Sequence, residues 1–302
     1  MEREELLLTT IYPIYVEVKQ VEWLKRMNDA LAYMEDNLDG EISIEKAAQL
    51  ACCSQYHFQR MFSYIIGVSL SEYIRRRRLT KAALDLQRGD KVIDVGVRYG
   101  YDSPTAFNRA FQAVHGVSPS VARKPDTVLK AFPRVSFQIT VKGVSEMDYR
   151  IAEKEEFRVV GVRIKIGMNV DENAEIIMPF WGQAMEAGHI EPLLGLMNGE
   201  PTGLLGLCVD TAGDGGYYYI CVVTDEPALE GMFEVVVPKH TWAIFSGEGK
   251  PATIAGLFHR IFSEWQPTSG YEWADMIDME VYLSDDPTNM KYEIWMPVKK
   301  SK

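Results

Sequence analysis

The segment FQRMFSYIIGVSL, residues 58–70, decides how the first third of this chain is interpreted, because a second version follows as FNRAFQAVHGVSP at residues 107–119. Phe, Arg, Phe, Gly, Val and Ser coincide between the two segments at a constant offset of 49 residues. The correspondence extends upstream, where Ser54 falls on Ser103 and Ile44 on Ile93. A self-match at a fixed offset indicates one supersecondary unit that is used twice.

Each copy has the pattern of a helix, a tight turn and a second helix. In the first copy, Ser43 is predicted to cap a short helix that ends at Leu50. In the second copy, Gly100 supplies the turn, and Ser103 followed by Pro104 is a typical N-cap and first helical position. Both copies therefore predict helix-turn-helix units.

The segment between the copies, SEYIRRRRLTKAALDLQRG at residues 71–89, consists of good helix formers and ends in glycine. It predicts one rigid spacer helix of about 25 Å at 1.5 Å per residue. The two second helices would then lie near one turn of B-DNA apart, about 34 Å. We expect an N-terminal all-α domain with two helix-turn-helix units joined by a linker helix.

The second helix of each unit is predicted to be amphipathic, with Phe58, Met61 and Phe62 on one apolar stripe of the first. The opposite faces suit base edges, since Arg pairs with guanine, and Gln or Asn with adenine. Any solvated helix shows a polar face, but this one recurs at the repeat offset and lacks Glu/Lys pairs. These faces carry Tyr56, Gln59, Arg60 and Ser63 in the first copy and Thr105, Asn108, Arg109 and Gln112 in the second.

Charge separates the chain into two parts. The net charge is −11, but residues 22–124 carry a net +3 and residues 148–302 a net −13. The first part can approach a polyanion, whereas the second attracts cations. No apolar run approaches the roughly 18 residues of a membrane span. The cysteines fit neither a disulfide framework nor zinc spacing, so we expect the protein in a reduced cytoplasm. We also expect no membrane partner, no bound metal and no cofactor.

The periodicity changes after residues 125–147, where we place the joint. Alternating patterns predict strands, and longer apolar periods predict helices, in the order strand, helix, strand, strand, which occurs twice. We expect an α+β domain of two such repeats with a ligand cleft between them. The predicted segments are 156–166, 172–188, 203–210 and 216–223 in the first repeat, and 233–247, 251–265, 275–284 and 290–298 in the second.

Residues 23–123, and above all YGYDSPTAFNRAFQAVHGVSP at 99–119, resemble the DNA-binding domain of the AraC/XylS family of bacterial transcription regulators. The resemblance implies promoter double-stranded DNA and RNA polymerase as partners. Carried over by position, it implies base contacts from Tyr56, Gln59, Arg60, Thr105, Asn108 and Arg109, with Gln55 and Pro104 at the helix starts.

Residues 148–300 are similar to the GyrI-like effector-binding domain, through MDYRI at 147–151, VPKHTWAIFSG at 237–247 and YEIWMPV at 292–298. Predicted domain bounds are 1–21 for an extension, 22–124 for the DNA-binding domain, 125–147 for a linker and 148–302 for the effector domain.

A cation pocket is predicted in the second domain, because Glu280 shares a strand face with Tyr282, and Glu293 shares one with Trp295. A partly buried acid among aromatic side chains favours a lipophilic cation. The family resemblance implies a buried glutamate with aromatic walls, which places Glu293 as the anchor. The other candidate contacts are Trp242, Tyr282, Trp295, Glu280, Trp181 and Tyr219. Core packing of these aromatic residues and a solvated edge position for Glu280 are the alternatives.

The predicted function is a DNA-binding transcription regulator that responds to a small cationic or amphipathic effector. One alternative is a hydrolase in which Glu293 activates water, although no other catalytic motif is present. A second alternative is a non-specific DNA-coating module, which the small net charge of the first part disfavours.

Overall fold

The computed structural model describes residues 23–137, 146–167, 170–210, 216–275, 277–284, 286 and 288–300. Among these residues, two units are distinguished. The helical unit comprises 23–55 and 68–137, and the sheet unit comprises 56–67 and the described residues from 146 onward. The extension predicted at 1–21 and residues 138–145 of the predicted joint lie outside the described residues.

The N-terminal part is helical, as predicted. Helix α1 covers 23–36. It is followed by α2 (Ile44–Leu50), α3 (Gln55–Ile66), α4 (Leu70–Gln87), α5 (Val92–Arg98), α6 (Pro104–His115) and α7 (Pro119–Ala122). The pairs α2–α3 and α5–α6 are the two helix-turn-helix units, and α4 is the linker helix. This confirms the predicted architecture.

Local capping interactions define the helix ends. The Ser43 hydroxyl accepts a hydrogen bond from the Lys46 amide, and the Ser103 hydroxyl accepts one from the Ala106 amide. Gly100, in the turn between α5 and α6, has φ of 81°, which favours glycine. Helix α4 begins one residue earlier than predicted, because the Ser69 hydroxyl accepts from the Glu72 amide and caps it.

The core of the helical unit forms where α4, α5 and α6 meet. Phe107 and Phe111 on α6 are buried against Val95, Tyr99 and Leu79. Gly96 allows α5 to approach closely, because a Cβ there would lie 3.3 Å from the Phe107 ring. The apolar stripe predicted for α6 is therefore the face that packs.

The arginine run of α4 makes contacts within the helical unit. Arg77 donates to both carboxylate oxygens of Glu35, at 2.8 and 2.7 Å, and Arg78 donates to the carbonyl of Leu38 at 2.9 Å. Arg75 and Arg76 both pair with Glu72. These contacts hold all four arginines of the run on partners within the helical unit.

The sheet unit contains, among the described residues, a nine-stranded antiparallel sheet. Its first repeat consists of β2 (Phe157–Ile166), α8 (Val170–Glu186), α9 (Ile190–Leu196), β3 (Leu204–Asp210) and β4 (Gly216–Val223). Its second consists of β6 (His240–Gly249), α10 (Ala252–Arg260), β8 (Ile277–Tyr282) and β9 (Met290–Lys300). Short strands β1 (Tyr149–Lys154), β5 (Phe233–Val237) and β7 (Tyr271–Trp273) complete it.

The strand order is β1-β6-β9-β8-β3-β4-β2-β5, with β7 paired to β9. Each repeat places its third strand between its first and second, and the two repeats meet where β8 pairs with β3. Strand β1 flanks the second repeat and β5 flanks the first. The two strand-helix-strand-strand repeats predicted from the sequence are confirmed.

One predicted strand is wrong in extent. Residues 233–247 form two strands that pair with different neighbours, β5 with β2 and β6 with β1 and β9. The break contains Pro238, which has no amide hydrogen for a ladder. Strands β1 and β7, helix α9 and a π-helical turn at Ile261–Trp265 were not predicted.

The two sides of the sheet have different coverings. Cys208, Tyr218 and Ile220 face α8 and α9 on what we call the helix face. The alternate residues, such as Leu207, Met279 and Trp295, form a second core on the reverse face. Helix α10 lies on the helix face, where the Thr253 hydroxyl is 2.9 Å from the Tyr292 hydroxyl. Among the described residues, no helix combines the length and apolar character needed to cross a membrane.

Candidate functional site

Helices α3 and α6 are the second helices of the two helix-turn-helix units, and we call them the first and second recognition helices. The second recognition helix, α6, presents its predicted base-contacting residues to solvent. Pro104, Thr105, Asn108 and Arg109 are all exposed, whereas Phe107 on the other side of the helix is buried. The side chains of Arg109 and Asn108 therefore have hydrogen-bonding groups that suit the base edges exposed in a major groove. Their base contacts stay a prediction, and the structure leaves their side chains accessible for them.

The first recognition helix, α3, is arranged differently. Its residues 56–67 belong to the sheet unit, where Tyr56 and Arg60 are each 5% exposed, and Gln55 and Gln59 are partly buried. The expectation of a solvent-facing polar side is therefore wrong for α3, because Tyr56 and Arg60 on that side are buried within the sheet unit. The predicted reading of bases by Tyr56, Gln59 and Arg60 stays a prediction, and it requires another position of α3.

Arg60 lies at the centre of the contact between α3 and the sheet. Its Nη1 donates a hydrogen bond to the carboxylate of Asp278 on β8 and another to the Tyr56 hydroxyl at 2.6 Å. Its guanidinium carbon lies 4.6 Å from the ring centre of Phe258 on α10. The cation is thus held by one carboxylate and by aromatic faces, which is a cation–π arrangement.

Aromatic stacking extends this contact along α3. The Tyr64 ring stacks on Phe258 at 5.1 Å and on Phe262 at 5.6 Å between ring centres. The His57 ring stacks on Trp273 at 5.9 Å. Burial, with the nearby Arg60 charge acting in the same direction, lowers the pKa of His57 to about 3, so this imidazole is neutral at neutral pH.

Burial of the Arg60–Asp278 pair dominates its electrostatics. Asp278 is 1% exposed, and burial raises its pKa, while the Arg60 charge and hydrogen bond oppose that rise. Burial alone would lower the pKa of Arg60, but Asp278 and the neighbouring tyrosines raise it above its usual range. The guanidinium is therefore charged, and it is the group that makes the buried carboxylate tolerable.

Glu280, two residues further along β8, points to the same helix face. Its Oε2 accepts hydrogen bonds from the Tyr218 hydroxyl at 3.0 Å and from the Tyr282 hydroxyl at 3.1 Å. Burial raises the pKa of Glu280 to about 7, an effect that Arg60 partly offsets. Trp181 of α8 donates to the Tyr218 hydroxyl at 3.0 Å, which orders this network.

These residues lie together on the helix face of the sheet, and we call the group the acid cleft, which Arg60 and Tyr56 of α3 occupy in this structure. It combines two carboxylates with aromatic walls from strands and helices. Gly206 on β3 leaves the space for it, because a Cβ there would lie 2.1 Å from the Tyr218 hydroxyl and 2.5 Å from Glu280 Oε2. The acid cleft consists of Asp278, Glu280, Tyr218, Tyr282, Trp181 and Phe258.

Glu293 lies on the reverse face and is already paired. Its carboxylate accepts two hydrogen bonds from Arg150, at 2.6 and 2.9 Å, and one from the Trp295 indole at 2.9 Å. It lines an open pocket of about 260 Å³, together with Lys154 and Glu200 among others. The structure therefore separates Glu293 from Glu280, although the sequence placed both in one pocket.

The predicted aromatic walls divide in the same way. Tyr282 and Trp181 lie in the acid cleft, where their ring centres are 5.1 Å apart. Trp242, Trp295 and Tyr219 belong to the core of the reverse face. The predicted grouping of all of them around one ligand is corrected, because neighbouring residues of a strand point to opposite faces. Their individual roles as effector contacts stay predictions.

Sequence reasoning missed Asp278, Tyr218 and Phe258. The signal for Asp278 was present in IDMEVY at 277–282, where Asp278, Glu280 and Tyr282 alternate on one strand face. The contributions of Tyr218 and Phe258 depend on strand order and helix placement, for which no local pattern exists. In the part of the chain that is described, no group of three or more His, Cys, Asp or Glu side chains is placed to hold a metal ion.

Comparisons with known families identify both parts of the chain. Residues 147–299 match the family model described as the GyrI-like small molecule binding domain. Residues 47–125 match the family model described as a helix-turn-helix domain. The two matches coincide with the region of the sheet repeats and with the region of the two helix-turn-helix units.

Characterised relatives agree with these matches. The chain is 40% identical over 102 residues to the HTH-type transcriptional activator AarP of Providencia stuartii, covering 33% of this chain and 76% of that protein. It is 23% identical over 293 residues to the transcriptional regulator Rob of Salmonella typhimurium, covering 91% and 98% of the two chains. A solved structure of SAV2435 bound to tetraphenylphosphonium aligns with 51% of this chain and 94% of its own, at 24% identity and a TM-score of 0.47.

Proposed function

The chain belongs to the AraC-type DNA-binding transcription regulators and carries a GyrI-like small molecule binding domain, and from that premise we propose that it responds to a cationic, amphipathic effector held in the acid cleft. In this proposal the effector alters how the protein engages promoter DNA. RNA polymerase is the proposed second macromolecular partner, as the family resemblance implies.

The observation that carries the proposal is the position of two buried or partly buried carboxylates, Asp278 and Glu280, among aromatic rings. A carboxylate is costly to bury without a compensating charge, which Arg60 supplies to Asp278, and a cationic ligand would supply the same compensation. The Phe258 ring and the tyrosines add cation–π attraction. A lipophilic cation satisfies both requirements, whereas an anion satisfies neither.

The pocket on the reverse face is a weaker candidate. Glu293 there is engaged by Arg150, and Lys154 also lies 5.8 Å from the Trp295 ring centre. A cationic ligand there would have to displace Arg150 from the single carboxylate and approach Lys154. In the acid cleft it would have to displace Arg60 from Asp278, but it would also meet Glu280, whose Oε2 accepts hydrogen bonds from two neutral tyrosine hydroxyls. The electrostatic comparison therefore favours the acid cleft over the predicted Glu293 anchor.

The hydrolase alternative has less support for the same reason. A general base must reach the water that it activates. Both oxygens of Glu293 already accept hydrogen bonds from Arg150, and Oε2 also accepts one from Trp295. Incubating the full chain with reactive small molecules and following product formation would separate the two functions, because a sensor binds stoichiometrically and releases the compound unchanged.

The promoter-binding part of the proposal rests on the exposed α6 face and on the net charge of the helical region. Arg109 and Asn108 are exposed on α6 at the positions that the family resemblance assigns to bases. A net +3 over residues 22–124 is small for binding that depends mainly on phosphates. This favours a reader of sequence over a general DNA-coating protein.

The test is a calorimetric titration of the full chain with tetraphenylphosphonium, a permanent lipophilic cation. Tetraphenylborate, which has the same shape and the opposite charge, is the matched control ligand. We expect the cation to bind and the anion not to bind. Glu280→Gln should weaken cation binding at least about tenfold, which is 1.4 kcal/mol.

Glu293→Gln makes the same chemical change on the reverse face and is the matched control variant. We expect it to change cation affinity less than about twofold, since its carboxylate is outside the acid cleft. Equal binding of cation and anion would contradict the proposal. A loss of binding in Glu293→Gln but not in Glu280→Gln would move the site to the reverse face.

A further inference from the structure

We propose that Arg60 is an internal ligand of the acid cleft, so that the first recognition helix of the DNA-binding domain and the effector compete for the same site. This inference rests on the proposed function and adds its regulation. Without effector, α3 is docked on the sheet unit with Arg60 on Asp278, and with effector it is released to DNA.

The first support is chemical. Arg60 presents to the cleft what a cationic, aromatic effector would present: a positive charge on Asp278 and a planar group over Phe258, 4.6 Å from its ring centre. Tyr64 adds an aromatic ring stacked on Phe258 and Phe262. Arg60 and Tyr64 thus present the same chemical groups, a cation and an aromatic ring, as the effector proposed for the cleft.

The second support is that the contact is specific and buried. A buried arginine is tolerated only when it is paired and hydrogen-bonded. Arg60 has both a carboxylate partner in Asp278 and a hydrogen bond to Tyr56, whose own hydroxyl lies 3.5 Å from Asp278 Oδ2. An incidental surface contact would not bury a charged pair to 5% and 1% exposure.

The third support is that docking and base reading exclude one another. Tyr56 and Arg60 are among the residues of α3 that are buried against the sheet and α10, and they are also predicted base contacts. One side chain cannot be buried against Asp278 and lie in a major groove at the same time. The corresponding residues of α6, Thr105 and Arg109, are exposed. Docking therefore keeps α3 from DNA but leaves α6 accessible.

Two quantitative consequences follow from competition. The apparent association constant of the effector equals its intrinsic value multiplied by the fraction of molecules in which Arg60 has left the cleft. Effector and DNA must also strengthen each other's binding by equal factors, because both favour the undocked state. Because the effector replaces Arg60, it must also make the contacts of Arg60. The effector class is therefore narrowed to cations that can lie on the Phe258 ring while reaching Asp278.

The ligand arm of the test compares tetraphenylphosphonium binding to the wild type and to Arg60→Gln, in the full chain. Removal of the internal cation should raise affinity at least about fivefold, in the range typical of coupling between sites. Arg88→Gln, which makes the same change at an exposed residue at the end of α4, is the control and should leave affinity unchanged. Equal affinity in all three proteins would overturn the inference, while the proposed function would stand.

The DNA arm needs no ligand. Asp278→Asn removes the partner of Arg60 but leaves Arg60 able to contact bases, whereas Asp225→Asn makes the same charge change at an exposed position of the sheet unit. Affinity is measured at one fixed salt concentration for a duplex selected from a random pool by the full chain and for a scrambled duplex. We expect Asp278→Asn to bind the selected duplex at least about fivefold more tightly than Asp225→Asn.

The two arms separate the two proposals. If Asp278→Asn and Asp225→Asn bind the selected duplex equally, the inference is overturned even where the wild type binds the cation. If the cation binds neither the wild type nor Arg60→Gln, the proposed function fails, and the DNA comparison alone decides whether docking keeps α3 from DNA.

Discussion

Arg60 and Asp278 form a buried ion pair between two residues that are 218 positions apart in the chain. Arg60 belongs to the first recognition helix, and Asp278 belongs to a central strand of the GyrI-like sheet. A residue predicted to read DNA is thus the counter-ion of the domain predicted to bind a cation. This ion pair physically links the predicted DNA-binding helix to the predicted cation site.

Cation binding is predicted to depend on pH through Glu280. Burial raises its pKa to about 7, with Asp278 acting in the same direction and Arg60, Tyr218 and Tyr282 opposing it. The carboxylate is therefore mostly neutral at pH 6 and mostly ionised at pH 8. Affinity for tetraphenylphosphonium, itself independent of pH, should rise up to about tenfold over that range. A calorimetric titration series checks this, and a flat profile in the wild type, or an equal rise in Glu280→Gln, would contradict it.

Gly206 is predicted to be needed for the shape of the acid cleft. A Cβ there would lie 2.1 Å from the Tyr218 hydroxyl, so Gly206→Ala must displace the network around Glu280. We expect a loss of about 1 to 3 kcal/mol in the free energy of unfolding, together with weaker cation binding. Denaturant unfolding followed by tryptophan fluorescence measures the first effect.

Gly182→Ala is the control for that variant. Gly182 lies within α8, and a Cβ there meets nothing within 4 Å. The substitution should stabilise the helix by about 0.5 to 1 kcal/mol and leave cation binding intact. If the two alanine variants had the same free energy of unfolding and the same cation affinity, the prediction that Gly206 is needed for the shape of the acid cleft would be contradicted.

Arg109 on α6 is predicted to contribute sequence preference. It is exposed, and a bidentate contact to guanine would be worth about 1 to 3 kcal/mol. Arg109→Ala should therefore lower affinity for the selected duplex and relax the preference at one base pair, as measured by competition with single-base variants. Arg88→Ala removes the same charge at a side chain that is 76% exposed at the C-cap of α4, and it should leave the sequence preference unchanged. Identical selectivity in both variants would rule out base reading by Arg109.

Glu35 is predicted to stabilise the helical unit in its ionised form. Burial alone would raise its pKa, but hydrogen bonds from Arg77 and Tyr73 and the Arg77 charge lower it overall. Because the folded pKa is depressed, this stabilisation is present above the ordinary carboxyl pKa and is lost as pH falls through the folded value. Glu35→Gln should cost about 3 kcal/mol at neutral pH and reduce the acid sensitivity of the helical unit.

Amide hydrogen exchange in α1 and α4 measures that loss locally. Glu72→Gln is the control, since its partners Arg75 and Arg76 are more exposed than Arg77. The control should cost about 1 kcal/mol or less. Equal loss of protection in the two variants would mean that burial of the Glu35 pair adds nothing.

The helical architecture was predictable because its determinants are local. Ser43 and Ser103 cap the helices that follow them, and Gly100 has the positive φ that its turn needs. These features depend on residues a few positions apart. The repeat at offset 49 added a long-range constraint that a single helix-turn-helix would lack.

The candidate site was only partly predictable, because strand register is not a local property. Alternation correctly placed Glu280 with Tyr282 and Glu293 with Trp295, each pair on one face. It could not relate the two strands. In the sheet, Glu280 is opposite Ile294, which directs Glu293 to the reverse face. A one-residue difference in register would have put both acids in one pocket.

The docking of α3 had no local signal at all. The polar side of α3 resembles the polar side of α6, with Arg60 and Arg109 at matching positions of the repeat. One side is buried against Asp278 and the other is exposed, and nothing within either helix distinguishes them. The difference arises from the complementary acid and aromatic rings on the sheet unit, more than 190 positions further along the chain.

The most direct measurement of the central claim is amide hydrogen exchange of residues 55–66 in the full chain, with and without saturating tetraphenylphosphonium. If the cation replaces Arg60 in the acid cleft, protection of α3 should fall while protection of β8 and β9 is maintained or increased. Tetraphenylborate should leave α3 unchanged. Binding of the cation with the protection of α3 undiminished would contradict the account.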